Sequence, residues 1–431
     1  MTASIALFME TPPLTTLRRV AAGLGLQGYV VGGCLRDLLL GREVNDVDIA
    51  VAGDTEAFPR QFARECGGTV FWLDRERGHS RVVIKVGGES ATFDFAPLRG
   101  KDIVVDLALR DFTINALAVP LQGEPGLIDP LGGAADIRAK VVRRCSASAF
   151  RDDPLRLVRS FRFAATLGFR IDSATLAVIP DLAPLLATIA GERIRDELFR
   201  ILQVPEAGSF FRLMGDGGLL EVLFGLLPSR ITPAAEAIDR VEEVVRSLSR
   251  LGDEAAAEGD IRLREEIQGG ITVQSLMKLA AFLDAAEMAP NGATDRLRLG
   301  KAAGQLVERL CRACSFPQAD HCDDVSAYRF FNDCDPAGLE IPLLLLARGR
   351  LAESPCRELA SYYLRRHIPR GGNLLLTGGE IMELLSIPPG RIVGEAQELL
   401  REAQCTGEVR TDAEARAFLR KKMLTTEEPM R

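Results

Sequence analysis

"VVGGCLRDLLLGREVNDVDIAVAGD", Val30 to Asp54, is the stretch on which the fold of the N-terminal part of this chain turns. Its β-branched start runs into Gly32-Gly33, as a strand does where it enters a turn. "CLRDLLLG" has the spacing of a short helix with Gly41 as its stop, and "VDIAVAG" reads as a second strand. Residues i and i+2 of a strand share a face, so Asp46 and Asp48 hold two carboxylates side by side. That is unfavourable unless something neutralises them, and a divalent cation with a preference for oxygen, Mg2+ first, does so. The bland alternative is a loop acid at Asn45-Asp46 followed by an acid on a solvated strand face.

The neighbouring residues favour the cation. Gly32-Gly33 sits where strand passes to helix, which leaves backbone N–H groups for a phosphate, and Arg36 lies within a turn of them as a forked donor. The pattern is neither the dinucleotide fingerprint nor a P-loop. A phosphate cradle followed by a metal pair reads as a site for a metal-bound triphosphate. Asp94, in "ATFDFAPL", becomes a third acid if its strand lies beside the one bearing Asp46 and Asp48, an adjacency the sequence leaves open.

Outward from this stretch, residues 28–144 alternate helical and strand patterns: "TEAFPRQFARECGG" is helical, with Pro59 tolerable only near the first turn, and "GTVFWLD", "SRVVIKV" and "SATFDFAPL" are β-rich runs separated by turns. After Phe150 apolar residues recur at three- and four-residue spacing, broken by glycine and proline. The fold class expected is α+β, a small mixed sheet with helices followed by an all-α remainder. "GLLPSRITP", "GDEAAAEGD" and "MAPNGATD" are the candidate boundaries.

At 431 residues, 47% hydrophobic and 26% charged, the chain is globular and too long for one core. No signal peptide or long apolar run is evident, and nine cysteines without regular spacing read as reduced thiols, so a cytoplasmic protein is expected. The net charge of -7 argues mildly against a nucleic-acid partner, but Arg138 to Arg170 carries nine basic residues against Asp152 and Asp153 alone. Such a patch suits a polyanion; a solvated helix face normally brings interspersed Glu.

"VVGGCLRDLLLGREVNDVDIAV" resembles the first signature of the class II tRNA nucleotidyltransferase and bacterial poly(A) polymerase family, within the polymerase-β nucleotidyltransferase superfamily. "LRDFTINALAV" (109–119), "DPLGGAADIRAKVVR" (129–143), "RDDPLRLVRSFRFAA" (151–165) and "GERIRDELFRIL" (191–202) are similar to the other four, in order. The resemblance implies a nucleotidyltransferase head over 1–145, a neck for base selection over 146–205, and a helical body and tail for tRNA over 206–431. It implies Asp46 and Asp48 as catalytic metal ligands with Asp94 as a further carboxylate. Gly33, Arg36, Arg110, Asp153, Arg156, Arg159 and Arg162 stand at its nucleotide-binding positions.

Asp153 and Arg156 lie one turn apart, so they can offer an acceptor beside a donor. Cytosine and adenine present a matching amine and bare ring nitrogen, whereas guanine and uracil present the reverse order. Asp153, just before Pro154, is also suited to capping a helix, and the competing reading of Arg159 and Arg162 is simple solvation. Where the family often has Glu-Asp, this chain has Asp152-Asp153. The expected reaction is template-independent addition of CMP, and of AMP if ATP is accepted, from CTP and ATP to the 3′ end of tRNA with Mg2+.

"FAPLRGKDIVVDLAL" (95–109) is shorter than the flexible element that many CCA-adding relatives carry there, which leaves CC addition and CCA addition both open. No His-Asp dipeptide occurs, so the phosphohydrolase site of some relatives is not expected. "CRACSFPQADHC" (311–322) has a zinc-like Cys311/Cys314 spacing, but adjacent His321-Cys322 closes a tetrahedron poorly, and core cysteines are the simpler reading. The rivals are a poly(A) polymerase or A-adding enzyme, a catalytically silent RNA-binding relative, and transfer to a small molecule. No membrane association is expected.

Overall fold

The acid–aliphatic alternation of residues 46–52 forms a strand at the centre of a six-stranded mixed sheet. In chain order the strands are β1 (Gln27–Val31), β2 (Asp46–Ala52), β3 (Thr69–Asp74), β4 (His79–Val86), β5 (Glu89–Pro97) and β6 (Ala118–Pro120). Their spatial order is β3-β4-β5-β2-β1-β6. Only β2 and β5 run parallel, with Asp46 opposite Thr92 and Asp48 opposite Asp94. The computed structural model describes residues 2–312, 323–334, 338–367 and 374–424.

Period-two patterning sorts the two faces of this sheet. Val47, Ile49, Val82, Ile84, Phe93 and Phe95 are buried on one of them. The helices of this region are α1 (Thr2–Met9), α2 (Pro12–Gly23), α3 (Gly33–Leu39), α4 (Ala57–Cys66), α5 (Ile103–Ala108), α6 (Gly133–Ala139), α7 (Ala149–Asp152) and α8 (Leu155–Leu167). Phe58 and Phe62 of α4 close the buried face, their rings 5.2 Å from Phe95 and 5.0 Å from Phe93 in edge-on contacts. Pro59 is the third residue of α4, where the missing N–H costs nothing. Each buried phenylalanine contributes about 1.5–3 kcal/mol. On the other face α5 covers part of β1 and β2, packing Ile103 and Leu107 on Val31 and Ala50. It leaves Asp46 and Asp48 open.

Two compact units divide the chain, Met1–Ile201 with Leu213–Gly225, and Leu202–Arg212 with Leu226–Arg431. Among its described residues the second has helices and, as its strands, one short hairpin, Glu266–Gln268 with Ile271–Thr272. At its centre Lys278, almost fully buried, lies 2.9 Å from Glu242 Oε1 and donates to the carbonyls of Leu202 (2.7 Å) and Val204 (3.1 Å). Glu242 accepts the N–H groups of Glu206 and Ala207 at 2.6 and 3.0 Å. Burial pushes the Lys278 ammonium pKa down and Glu242 opposes this. Gly378–Leu385, Arg391–Thr406 and Asp412–Leu424 share a core built on Leu376, Ile381, Leu400 and Leu419.

Two expected boundaries are helices. "GDEAAAEGD" lies in Asp253–Arg264, as its alanine and glutamate favour, and "MAPNGATD" starts Pro290–Arg296 with proline at the first position. Pro228 in "GLLPSRITP" likewise opens a helix, Pro228–Arg246, and the division between the units at residue 225 falls within the same stretch. Cys34, Cys145 and Cys356 are thiols that burial pushes up to about 12, which leaves them unreactive. Cys314, His321 and Cys322 lie outside the described residues. Among the described residues no helix is long and apolar enough to cross a membrane.

Candidate active site

The parallel pairing of β2 and β5 brings Asp94 directly beside Asp48, so three carboxylates share the open face of the sheet. Antiparallel pairing of β4 then sets Arg81 opposite Asp94. Its Nε and Nη2 donate to the two carboxylate oxygens at 2.7 Å each, a bidentate pair that neutralises the third acid. Asp46 accepts from the Thr92 hydroxyl. Asp48 remains at the floor of a cleft, reached by solvent but walled by protein. Those surroundings push its carboxyl pKa up, Arg110 opposes, Asp94 and Asp46 add to the rise, and Arg81 opposes weakly.

This is an unbalanced negative site. Among the described residues no three metal-ligating side chains converge as a complete set. Two aspartate oxygen donors with the third acid held by an arginine fit Mg2+, which takes one or two carboxylates and completes its shell from water and substrate phosphates. They do not fit a closed zinc site.

Across Asp48 from this row the structure places the arginines, around a concavity of about 460 Å³. Gly32 adopts φ +86°, and a Cβ there would lie 3.1 Å from both Arg110 Nη1 and Asp48 Oδ2. Only glycine leaves the passage open. Its N–H donates to the Leu117 carbonyl at 3.1 Å and is therefore committed to the fold. Gly33 begins α3, which carries Arg36 to the wall; Arg36 Nη1 donates to Asn115 Oδ1 at 2.6 Å, and its Nε and Nη2 hold Asp37 at 3.1 and 2.7 Å.

Arg110 is fixed by the buried Asp106, 2.9 Å from its Nε. Arg156 donates to the carbonyls of Leu109 (3.0 Å), Arg110 (3.3 Å) and Ala149 (3.2 Å). Arg159 pairs with Asp111 at 2.8 Å and Arg162 with Glu197 at 2.8 Å. Burial pushes the Arg162 pKa down, with Glu197 opposing. Arg36, Arg159 and Arg162 surround the Phe163 ring, 5.2, 5.5 and 3.5 Å from its centroid.

Solvation is thus not what places Arg159 and Arg162: both are held by acids that lie far away in sequence. Asp153 and Arg156 line the same concavity, joined by the Arg156 N–H donating to the Asp153 carbonyl at 3.0 Å and not through their side chains. Asp153 Oδ1 accepts the Leu155 N–H at 3.2 Å, while Oδ2 pairs with Arg193 at 2.9 Å. Capping and presentation to the cavity therefore coexist in one side chain.

Sequence reasoning missed Arg81, Asp106, Asn115, Phe163, Arg193 and Glu197. Asp106 carried a signal, its four-residue spacing to Arg110. Asn115 lies inside the quoted "RDFTINA". Arg81 carried one too, the Gly87-Gly88 turn that pairs β4 with β5 and sets it opposite Asp94; Glu197 carried none, because its partner Arg162 is 35 positions away.

Residues 28–143 match the family described as "Poly A polymerase head domain", and residues 168–229 match "Probable RNA and SrmB- binding site of polymerase A". A CC-adding tRNA nucleotidyltransferase of Geobacter sulfurreducens is 53% identical over 427 residues, 98% of each chain. An A-adding tRNA nucleotidyltransferase of Deinococcus radiodurans is 31% identical, over 96% of this chain and 98% of its own. A solved CCA-adding enzyme in complex with CTP superimposes over 99% of both chains with a TM-score of 0.75 at 23% identity, a likeness of fold.

Proposed function

The chain belongs to the tRNA nucleotidyltransferase family, and from that premise we propose that it adds C residues from CTP to the 3′ end of tRNA without a template, stopping after CC. The full-length 53% identity to a CC-adding enzyme carries this reading. The compact link between β5 and α5, residues 98–102, accords with it.

In each cycle the RNA 3′-hydroxyl oxygen attacks the α-phosphorus of CTP, a new P–O bond forms, the bond to the bridging oxygen breaks, and pyrophosphate leaves. Enzymes of this family use divalent cations; Asp46 and Asp48 would hold Mg2+, which supplies charge neutralisation and a more acidic hydroxyl. Arg81 keeps Asp94 paired, so the negative charge is centred on the two ligands. Arg36 and Arg110 bind phosphate oxygens, and the arginines around Phe163 hold the incoming nucleotide. Asp153 and Arg156 present an acceptor and a donor to the cytosine edge. Residues 1–145 are assigned to transfer, 146–205 to base selection and 206–431 to tRNA, in a cytoplasmic enzyme.

The test is purified protein with Mg2+, tRNAs ending at each stage of CCA, and each labelled triphosphate in turn. CMP incorporation only on tRNA lacking all three nucleotides or ending in one C is the expected result. AMP incorporation on tRNA ending in CC moves the assignment to CCA or A addition, and A tails on arbitrary RNA move it to poly(A) polymerase.

A further inference from the structure

The row of paired residues that holds the acids does not stop at Arg81. It continues to Phe71 on the edge strand β3, which is paired with Arg81. Phe71 and Leu73, two residues apart on one face, are 51% and 58% exposed, while Trp72 between them points the other way and meets Arg60 and Arg75. Isolated exposed apolar side chains are ordinary. Here two of them extend the face that carries Asp48, Asp94 and Arg81, and Leu73 borders a second concavity of about 360 Å³ that also reaches Asp48, Asp94 and Arg110.

Asp48 therefore stands between two concavities. The arginine-lined one takes the triphosphate in the proposed function, on which this inference rests. The second reactant, an RNA 3′ end, must then reach Asp48 from elsewhere. We infer that the open face of β4 and β3 is where the single-stranded 3′ end of the acceptor RNA docks, one of its last bases stacked on Phe71 against Leu73 and its backbone phosphate on Arg81. Asp94 occupies Arg81 Nε and Nη2, which leaves Nη1 for a phosphate oxygen. Three strand spacings separate Phe71 from Asp48, about 14 Å, so the bases reached are those just before the attacking terminus. Aromatic stacking tolerates any base and suits an acceptor whose end changes as it grows.

The test measures the Kd for tRNA ending in one C without CTP, by fluorescence anisotropy, together with steady-state constants, for wild type, Phe71→Ala and Phe71→Trp. The expected result is about a tenfold rise in Kd and KM for tRNA in Phe71→Ala, recovery in Phe71→Trp, and unchanged kcat and KM for CTP. An unchanged tRNA Kd in Phe71→Ala overturns the inference, as does an equal rise in KM for CTP, the mark of a structural role. Sedimentation showing that Phe71→Ala dissociates a dimer while tRNA Kd holds assigns the face to a second copy instead. A wild type that binds tRNA through Phe71 but transfers nothing sinks the proposed function and leaves the docking surface standing.

Discussion

Asp48 is where the sequence signal and the physics of the site meet. Its carboxyl is pushed up by burial in the cleft and by Asp94 and Asp46, with Arg110 and Arg81 opposing. In the metal-free protein the folded state thus keeps a proton that the unfolded chain has already released, so stability falls as pH rises from the ordinary aspartate value through the raised one. Asp48→Asn removes that slope and raises the metal-free melting temperature above neutral-pH wild type, while nucleotide transfer drops by roughly three orders of magnitude. Thermal melts without and with Mg2+, beside a transfer assay, check both. At Asp153 the test must separate capping from base choice. Asn caps as well as Asp, so Asp153→Asn keeps the helix start but changes the edge presented to the base. Discrimination of CTP over UTP falls by about tenfold or more, measured as a ratio of kcat/KM. The acids were legible because period two puts them on one face whatever surrounds them. Arg81 needed one step more: the Gly87-Gly88 turn folds β4 back on β5 and sets Arg81 opposite Asp94, a hairpin register that is local in sequence.

At the scale of the element, β5 and α5 form the device that connects the acid row to the arginines. Asp94 lies on the strand, and after the short link α5 presents Asp106, 2% exposed, to the Arg99 backbone N–H at 3.0 Å and to Arg110 Nε at 2.9 Å. Asp106→Asn leaves both arginines without their counter-charge. KM for CTP rises about tenfold, the worth of one charge-assisted hydrogen bond, with a smaller effect on kcat; an unchanged KM removes Asp106 from the positioning of Arg110. Helix α8 makes the converse point. Its arginines belong to a run whose local charge suggests a free polyanion surface, yet Arg143, Arg159 and Arg162 are paired with Asp136, Asp172, Asp111 and Glu197. Helix spacing was readable and charge compensation was not, because the partners come from other elements.

For the whole molecule, all ten residues expected at the site lie in the unit made of Met1–Ile201 and Leu213–Gly225. A ligand bound only to the folded site at 100 times its Kd stabilises by about 2.7 kcal/mol. CTP with Mg2+ therefore slows hydrogen exchange in residues 27–52, 92–111 and 153–162 and leaves the helices of residues 378–424 unchanged; equal protection in both regions excludes a site confined to the first unit. The sequence by itself determined the strand–glycine–helix–strand opening, the shared face of Asp46 and Asp48, the helical remainder and the order of the five signatures, since these depend on short-range periodicity and turn chemistry. Only the tertiary structure decided that Asp94 lies beside Asp48, that distant acids hold the arginines of α8, and that the acid row ends on an exposed phenylalanine. Strand order and ion pairing join residues tens of positions apart, and no local pattern encodes which of the possible partners the packed core brings within reach.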